Sequence, residues 1–346
     1  MARTVRPVKI SDLTLDGKKI YIQSMLSVEA HNIEGSVRQA KELENAGCEI
    51  IRAAVPDLEA VPLITALKEN VSVPIVADIH FDHRIALACA EAGVDKIRIN
   101  PGNIGGSEKV RTVVNACKQR HIPIRIGVNG GSLEKDLLKK YGSPTAEALV
   151  ESAMGHVKLL ENEDFRDIVI SIKSSDVPTM IKAYRLLAEQ CDYPLHLGVT
   201  EAGTERMGLI KSAMGIGSLL VDGIGETIRV SLTDSPVKEV YAAKDILKAC
   251  GKRGGVKLVS CPTCGRTQID LIGLANKVED ALKNVDKDIT VAVMGCVVNG
   301  IGEAGEADIG IAGGKGCAVL FRHGKQIKKV TEEEALGCLL EEIERL

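Results

Sequence analysis

The pattern that decides the fold is seen once in full in residues 74–100, PIVADIHFDHRIALACAEAGVDKIRIN. Short β-branched runs at 74–79 and 96–100 flank an amphipathic, Ala-rich stretch, an order typical of a strand, a helix and a second, parallel strand. The same pattern recurs from residue 20 to about residue 250. The predicted strands are 20–24, 49–55, 74–79, 96–100, 122–129, 167–173, 195–200 and 227–232.

Eight such units are the number that closes a (βα)8 barrel of about 250 residues. A doubly wound sheet rarely contains eight even units, and no G-x-G-x-x-G follows the first strand. We therefore predict an α/β protein in which residues 1–250 form a TIM barrel. The polar, Gly-bearing segment 251–255 predicts a boundary, and residues 255–346 are expected to form a smaller α+β domain. Helices are expected there near 267–284 and 331–346, and strands at 255–260, 289–294, 308–312, 317–322 and 325–330.

Composition excludes several classes of protein. Lys plus Arg (44) nearly balances Asp plus Glu (47), and aromatic residues are scarce, so neither a basic field nor base stacking favours nucleic acid as a partner. Ten cysteines in 346 residues are too sparse for a secreted disulfide scaffold, and the first residues lack an apolar signal core. No apolar run approaches the roughly 20 residues of a membrane helix. We expect a cytoplasmic protein without a membrane partner.

Three cysteines in the last third of the chain suggest a metal centre. Cys261-Pro-Thr-Cys264 and Cys296 each follow an apolar, strand-like run that breaks into a turn, and Glu303 comes shortly after Cys296. A structural zinc site needs four Cys or His ligands, whereas an iron-sulfur cluster with three cysteines keeps one iron open to substrate. The pattern favours a catalytic cluster. A redox dithiol at Cys261 and Cys264, or a zinc site completed by Cys317, are the alternatives.

Polar and charged residues also mark the carboxyl ends of the predicted barrel strands, where barrel enzymes build their active sites. They are Gln23, Arg52, Asp78, His80, Arg98, Asn100, Arg125, Asn129, Lys173, Glu201, Arg229 and Ser231. Five of these residues are cations and few are acids, and guanidinium groups match phosphate oxygens two at a time, so we predict a phosphate or diphosphate site. Asp78, His80 and Glu201 are candidates for proton handling or for binding substrate hydroxyls. Internal ion pairs, Arg52 with Asp78 or Lys173 with Glu201, are the alternative interpretation.

The chain resembles, over nearly its whole length, the 4-hydroxy-3-methylbut-2-enyl diphosphate synthase family of iron-sulfur enzymes in the methylerythritol phosphate route to isoprenoids. The motifs that carry the resemblance are Ile22-Gln-Ser-Met25, Ile51-Arg-Ala-Ala-Val-Pro56, Ala77-Asp-Ile-His-Phe81, Arg98-Ile-Asn-Pro-Gly-Asn103, Arg125-Ile-Gly-Val-Asn129, Ser171-Ile-Lys173, Leu197-Gly-Val-Thr-Glu-Ala-Gly203, Asp222-Gly-Ile-Gly-Glu-Thr-Ile-Arg-Val-Ser231, Ser260-Cys-Pro-Thr-Cys-Gly-Arg266, Gly295-Cys-Val-Val-Asn-Gly300 and Ala312-Gly-Gly-Lys-Gly316. Leu26 and Ile301 depart from the Thr and Pro usual in that family.

The resemblance implies a TIM barrel followed by a 4Fe-4S domain similar to a sulfite-reductase half-domain. The implied cluster ligands are Cys261, Cys264, Cys296 and Glu303. The implied diphosphate-binding residues are Arg52, Arg98, Asn100, Arg125, Asn129, Lys173, Arg229 and Ser231, with Asn299 added to the substrate-binding set. Glu201 is expected near the reacting carbons, and Glu303, Asp78 and His80 join it as expected catalytic residues.

The predicted reaction is the reductive ring opening of 2-C-methyl-D-erythritol 2,4-cyclodiphosphate, with flavodoxin or ferredoxin delivering electrons one at a time. A homodimer with an active site shared between chains is expected, because the helix after the eighth strand runs back to the far face of the barrel and segment 251–255 is short. A barrel transferase similar to dihydropteroate synthase, with a structural zinc site, is the alternative function. A non-enzymatic cluster carrier is a third, but it would leave the barrel's arginines without a purpose.

Overall fold

The computed structural model describes residues 3–283, 285, 287–298, 302 and 304–346, and of Ser132 only the backbone. The chain divides into two compact units, the first ending at Lys252 and the second beginning at Arg253. In the described part of the chain, no helix combines the length and apolar composition that a membrane crossing needs.

The first unit begins with a hairpin that the sequence pattern does not predict. Strands β1 (Val8–Ile10) and β2 (Leu13–Leu15) pair antiparallel. Their apolar side chains form one buried cluster with Tyr21, Ile50, Val76 and Val169, which lie near the amino ends of four strands of the main sheet. The hairpin therefore closes the amino-terminal end of that sheet with apolar packing.

The described part of the first unit contains a sheet of eight parallel strands. They are β3 (Tyr21–Met25), β4 (Ile50–Ala54), β5 (Ile75–Asp78), β6 (Lys96–Ile99), β7 (Ile124–Asn129), β8 (Ile168–Lys173), β9 (His196–Leu197) and β10 (Thr227–Ile228). The order is β8-β7-β6-β5-β4-β3-β10-β9, and a bridge from Ile170 to Leu195 joins the two ends. The predicted TIM barrel is confirmed. Strands β9 and β10 are shorter than predicted. Just after β9, Gly198 lies so close to the Arg229 carbonyl that an added Cβ would stand 2.7 Å from its oxygen.

Helices surround this barrel and connect its strands. They are α1 (Ile33–Asn45), α2 (Pro62–Asn70), α3 (His83–Glu91), α4 (Pro101–Ile104), α5 (Ser107–Arg120), α6 (Lys135–Tyr141), α7 (Ala146–Glu161), α8 (Val177–Gln190), α9 (Glu205–Val221) and α10 (Pro236–Ala249). Side chains of Asn32, Asp82 and Asp176 accept backbone N–H bonds at helix starts, which satisfies donors that a helix leaves unpaired. The short helices α4 and α6, which follow β6 and β7, were not predicted.

The second unit is a five-stranded sheet with two helices in its described residues. Its elements are β11 (Lys257–Ser260), α11 (Leu271–Leu282), β12 (Thr290–Met294), β13 (Ile309–Gly314), β14 (Cys317–Arg322), β15 (Lys325–Val330) and α12 (Ala335–Glu344). Strands β11, β12 and β13 are parallel, and β14 and β15 continue the sheet antiparallel. Leu274, Val278, Leu339 and Ile343 belong to the buried core of this unit. Strand β13 extends past its predicted end, because Gly314 pairs with Cys317 and only Lys315 and Gly316 form the turn.

Candidate active site

A small polar pocket opens at the carboxyl ends of the barrel strands. Its volume is about 230 Å³, and its lining combines guanidinium, amine, carboxylate, imidazole, amide and hydroxyl groups. The lining residues are Arg52, Asp78, His80, Arg98, Arg125, Asn129, Ser171, Lys173, Thr200, Arg229 and Ser231. They come together because alternate residues of a strand face the same side, and parallel strands in a barrel end at one rim.

One buried carboxylate organises two of the arginines. Asp78 accepts a hydrogen bond from Nη1 of Arg98 at 3.0 Å, and its other oxygen lies 3.6 Å from Nε of Arg52. Burial alone would raise the pKa of Asp78, but Arg52, Arg98 and Arg125 lower that pKa to about 2. Asp78 therefore stays ionised at neutral pH and holds the two guanidinium groups. The alternative ion pair of Arg52 with Asp78 is present, although both residues also line the pocket.

The cations of the pocket are only partly neutralised. Burial lowers the pKa of Lys173 well below its usual value, and its charged neighbours Arg52, Arg229, Arg125 and Arg98 lower it further. Glu201 is not among these neighbours, so the alternative pairing with Lys173 is not seen. Burial also lowers the pKa of Arg52, to about 10. A pocket with this excess of positive charge is suited to a polyanion, since unpaired buried charges cost several kcal/mol each.

Arg229 is oriented from outside the strand. Glu239 of α10 accepts hydrogen bonds from Nε and Nη2 of Arg229 at 3.3 and 3.1 Å, and Ser24 donates to the same carboxylate at 3.0 Å. Glu239 is 3% exposed. The pairing aligns the guanidinium plane, so Glu239 is a positioning residue that the sequence pattern did not single out.

Two glycines leave room for the cationic side chains. A Cβ on Gly127 would stand 2.4 Å from Nε of Arg98, and one on Gly198 would stand 3.1 Å from Nζ of Lys173. Real side chains do not approach that closely at Gly127, so only glycine there accommodates Arg98 in its observed position.

In the second unit, cysteines lie close to the carboxyl ends of strands β11 and β12. Strands β11 and β12 pair in parallel with Ser260 opposite Val293, which brings Cys261 beside the segment that leads to Cys296. The sulfur of Cys261 accepts the backbone N–H of Gly295 at 3.2 Å. Cys296 is 6% exposed, Cys264 is exposed, and Cys317 begins β14 at the same end of the sheet. Hydrogen bonds from the backbone and side chain of Arg266 lower the pKa of Cys264.

Among the residues that the structure describes, no three His, Cys, Asp or Glu side chains are arranged to hold a metal ion. Glu303 and Asn299 lie outside the described residues. The donor chemistry nevertheless fits an iron-sulfur cluster, because thiols lie at the carboxyl ends of two neighbouring strands, one of them accepts a backbone N–H bond, and the pKa of another is lowered.

Comparison with known families agrees with both units. The model described as the GcpE TIM-barrel domain matches residues 5–244, and the model described as the GcpE protein C-terminal domain matches residues 257–345. The chain belongs to the GcpE family.

Relatives of this GcpE-family chain match it from end to end. A protein of Clostridium perfringens is 57% identical over 346 residues, which cover 99% of each chain. One from Fusobacterium nucleatum is 53% identical and covers 100% of this chain and 97% of its own. One from Clostridium acetobutylicum is 55% identical, with 99% and 98% covered. All three are named 4-hydroxy-3-methylbut-2-en-1-yl diphosphate synthase (flavodoxin).

Solved structures resemble this GcpE-family chain more distantly. Dihydropteroate synthase from Stenotrophomonas maltophilia matches with a TM-score of 0.52 at 14% identity, over 70% of this chain and 96% of that one. A truncated 3-deoxy-D-arabino-heptulosonate 7-phosphate synthase from Thermotoga maritima matches with a TM-score of 0.51 at 13% identity, over 72% and 94%. Likeness at this level shows a shared barrel and gives no support to the transferase alternative.

The structure brings most of the sequence-predicted barrel residues of this GcpE-family chain into one pocket, but not all of them. Asn100 instead caps α4, where its side chain accepts the N–H of Gly102 at 3.1 Å. Glu201 is exposed and has a φ of 51°, a left-handed conformation that is uncommon outside glycine. Ser171 and Thr200 line the pocket without having been predicted. Both stand inward-facing near strand ends, which is the signal that could have identified them.

Proposed function

We propose that this protein converts 2-C-methyl-D-erythritol 2,4-cyclodiphosphate into 4-hydroxy-3-methylbut-2-enyl diphosphate, with loss of water and uptake of two electrons. The observation that carries the proposal is the convergence of three buried arginines, Arg229 and Lys173 on one small pocket. It is supported by relatives named for that enzyme, which are 53–57% identical over the full chain. Residues 1–250 are proposed as the substrate-binding domain and residues 255–346 as the cluster domain.

The arginines are proposed to bind the diphosphate. A guanidinium offers two parallel N–H donors to a phosphate, and the contact is stronger in a pocket that excludes water. Arg52 and Arg98 are held for this purpose by Asp78, and Arg229 is held by Glu239. Lys173 contributes a point charge. Amide and hydroxyl groups complete the proposed contacts, from Asn100, Asn129, Ser231 and Asn299.

Loss of the substrate hydroxyl as water requires a proton. His80 is the first proposed donor, because it stands at the rim with Nε2 3.8 Å from Asp78 and its side chain is 53% exposed. Asp78 itself stays ionised, which suits it to anchoring arginines and a substrate hydroxyl rather than to donating a proton. Glu201 is the second proposed donor, because strained backbone of this kind clusters at functional sites.

The cluster is proposed to be held by Cys261, Cys264, Cys296 and Glu303. When bound, a 4Fe-4S cluster would supply electrons one at a time, so a one-electron donor, flavodoxin or ferredoxin, is required. The names of the relatives favour flavodoxin. Thiolate ligands need a reducing compartment, and we accordingly propose a cytoplasmic location without a nucleic-acid or membrane partner.

The test of the proposed function is anaerobic purification followed by metal and acid-labile sulfide analysis, together with a reductant-driven assay on the cyclodiphosphate. Iron and sulfide in equal amounts, with turnover, are expected. Cys261→Ser and Cys296→Ser should lose the brown chromophore, whereas Cys191→Ser, in the barrel unit, should keep it. Zinc without sulfide, and no turnover, would favour the barrel transferase with a structural zinc site instead.

We also propose that two chains share each active site. Helix α10 has 14 residues and so spans about 21 Å, which carries the chain back along the barrel from the end of β10. The connection from Cys250 to Gly255 is a few residues long, each reaching at most about 3.6 Å. The chain's own cluster is therefore not expected to reach its own pocket, and a partner's cluster would serve it under two-fold symmetry.

A second observation supports a homodimer. Helix α9 packs one face on the barrel and exposes Met207, Ile210, Met214 and Val221, which fall within one narrow stripe of the helix surface. Apolar stripes of this kind mark protein interfaces. Met214→Glu is expected to produce monomers in sedimentation analysis, while Leu159→Glu on α7, also an exposed apolar residue, should not.

Sharing of the site is tested by mixing two inactive variants, Cys296→Ser and Arg125→Ala. A mixed dimer then has one site with both lesions and one site with neither, so activity should partly return on subunit exchange. If exchange is demonstrated and activity stays absent, barrel and cluster act within a single chain.

A further inference from the structure

Below the pocket, a lysine is sealed inside the barrel. Lys96 is the first residue of β6, its side chain is fully buried, and its amine has no hydrogen-bond partner among the described residues. It lies two residues before Arg98 on the same face of the strand, which is about 6.6 Å deeper in the barrel. Lys96 does not line the pocket, so direct contact with substrate is not its role.

The barrel interior around Lys96 carries a large excess of positive charge. Arg52 (β4) and Arg125 (β7) lower the pKa of Lys96, and His196 (β9) lies close enough to be affected by it. The other titratable and charged groups of the barrel interior line the pocket above and are Asp78 (β5), Arg98 (β6), Lys173 (β8) and Arg229, which directly follows β10. Among described residues Asp78 is the inward carboxylate of these strands, and Glu239 reaches Arg229 from α10. The acids present therefore cannot neutralise the interior.

A buried amine is the group that can relieve such a surplus. Guanidinium groups keep their protons under all ordinary conditions, whereas a lysine amine gives up its proton readily when buried. Burial lowers the pKa of Lys96 well below its usual value, and Arg125 and Arg52 lower that pKa further. Burial also lowers the pKa of His196, and nearby cations, Arg125 first, lower it further, which favours the neutral imidazole. Full burial without a partner and the surrounding cations therefore favour the uncharged amine of Lys96 when no substrate is bound.

We propose that Lys96 takes up a proton from solvent when an anionic diphosphate binds in the pocket above it, so that substrate binding is coupled to protonation of a buried amine. The inference rests on the proposed function and deepens it. The nitrogen lone pair of Lys96 accepts one proton, an N–H bond forms, the buffer acid loses that proton, and no group is oxidised or reduced.

The coupling has a use in the proposed reaction. Opening the cyclic diphosphate breaks a carbon–oxygen bond and leaves a terminal phosphate with one more anionic oxygen than the ring had. A positive charge already present at Lys96 stabilises that added negative charge, because electrostatic interactions are strongest in an interior that holds little water. Lys96 acts here at a distance, by adding its positive charge to that of the arginines that line the pocket.

The test is calorimetric titration of the anaerobic holoenzyme with the cyclodiphosphate in the absence of reductant, so that no turnover occurs. Each phosphorus of this ligand has a single strongly acidic oxygen, so the ligand does not titrate near neutral pH. Repeating the titration in buffers of different ionisation enthalpy counts the protons taken up. Lys96→Met should take up about one proton fewer than the wild type on binding. The dissociation constant of the wild type should therefore change by about tenfold more per pH unit than that of Lys96→Met. Lys9→Met, at an exposed position, is the matched control and should behave as wild type.

A second measurement checks the empty enzyme. Lys96→Met should melt at or above the wild-type temperature, because replacing an unpaired buried amine by an apolar side chain of similar shape removes an uncompensated polar group. Lys96→Gln, which cannot titrate, should show the same loss of proton uptake and stands in if the Met variant does not fold.

The outcomes separate the two proposals. No binding of the cyclodiphosphate to the wild type overturns the proposed function. Binding without proton uptake by the wild type, or uptake that is unchanged in Lys96→Met or Lys96→Gln, overturns the role of Lys96 while leaving the proposed function intact.

Discussion

Gly127 offers the sharpest test of how the arginines of the pocket are held in position. An added methyl group at this position would lie 2.4 Å from Nε and 2.7 Å from Nη2 of Arg98. Non-bonded heavy atoms settle at about 3.5 Å, so Gly127→Ala must move the guanidinium by about 1 Å. That displacement is enough to break the 3.0 Å contact of Arg98 with Asp78.

The expected consequence is a loss of substrate binding with little loss of fold. A misplacement of about 1 Å in a positioning group costs up to about 100-fold, so we expect Gly127→Ala to lower kcat/KM by 10- to 100-fold. The assay is reductant-driven turnover of the cyclodiphosphate, with chromophore absorbance and thermal unfolding as checks on cluster and fold. Gly155→Ala is the control, because Gly155 is exposed on α7 with open space around it and alanine there should slightly stabilise the helix.

A double-mutant cycle isolates the cause. If the alanine methyl acts through Arg98, Gly127→Ala should have little further effect in an Arg98→Ala background, since the displaced group is already absent. Unchanged kinetics in the single variant, or fully additive losses in the double variant, would refute this account of the pocket.

Three further predictions concern the barrel pocket and the proposed cluster ligands. Arg125→Ala should weaken substrate binding by about 2–5 kcal/mol while cluster content persists, and Arg125→Lys should recover only part of the loss because ammonium lacks the planar fork. Substrate KM measures both effects. If Arg125→Ala mostly unfolds while its folded fraction binds substrate normally, the structural ion-pair interpretation is favoured. Because the folded pKa of Asp78 is lowered to about 2, its contribution to stability is present above the unfolded pKa near 4 and lost as pH falls from about 4 to about 2, a change of roughly 2 kcal/mol. Urea unfolding across that pH window should show a smaller pH dependence in Asp78→Asn, and an identical dependence would contradict the ion pairing. Glu303→Ala should keep most of the chromophore but lose turnover, and a fully active variant would remove Glu303 from the proposed ligand set.

Local chemistry made much of the barrel predictable. The runs 96–100 and 167–173 carry isoleucine or valine at alternate or successive positions, and the structure has strands at Lys96–Ile99 and Ile168–Lys173. Strand period also decided which side chains share a face, so the convergence of Arg52, Arg98 and Arg125 could be predicted from their places at strand ends. The motifs further identified the family, which the matches to both units confirm.

Other features carried no local signal. The hairpin of β1 and β2 consists of two three-residue strands, which are too short to show a period. Glu239 is an acid in an amphipathic helix, a pattern typical of a solvated face, yet it is buried against Arg229. Asn100 stands at a strand end like the pocket residues, but its side chain caps the next helix instead.

The sequence by itself determined the order of strands and helices, the excess of cations at one rim and the thiols at the strand ends, because each depends on residue type and spacing along the chain. Only the tertiary structure decided that Arg98 needs a glycine opposite it, that Glu239 orients Arg229, and that the described residues enclose Lys96 without giving its amine a hydrogen-bond partner. Those facts depend on which side chains closure of the barrel brings face to face. Closure brings together side chains that are about a hundred residues apart in the sequence, such as Gln23 and Arg125. A local sequence pattern does not show which of these side chains will be in contact.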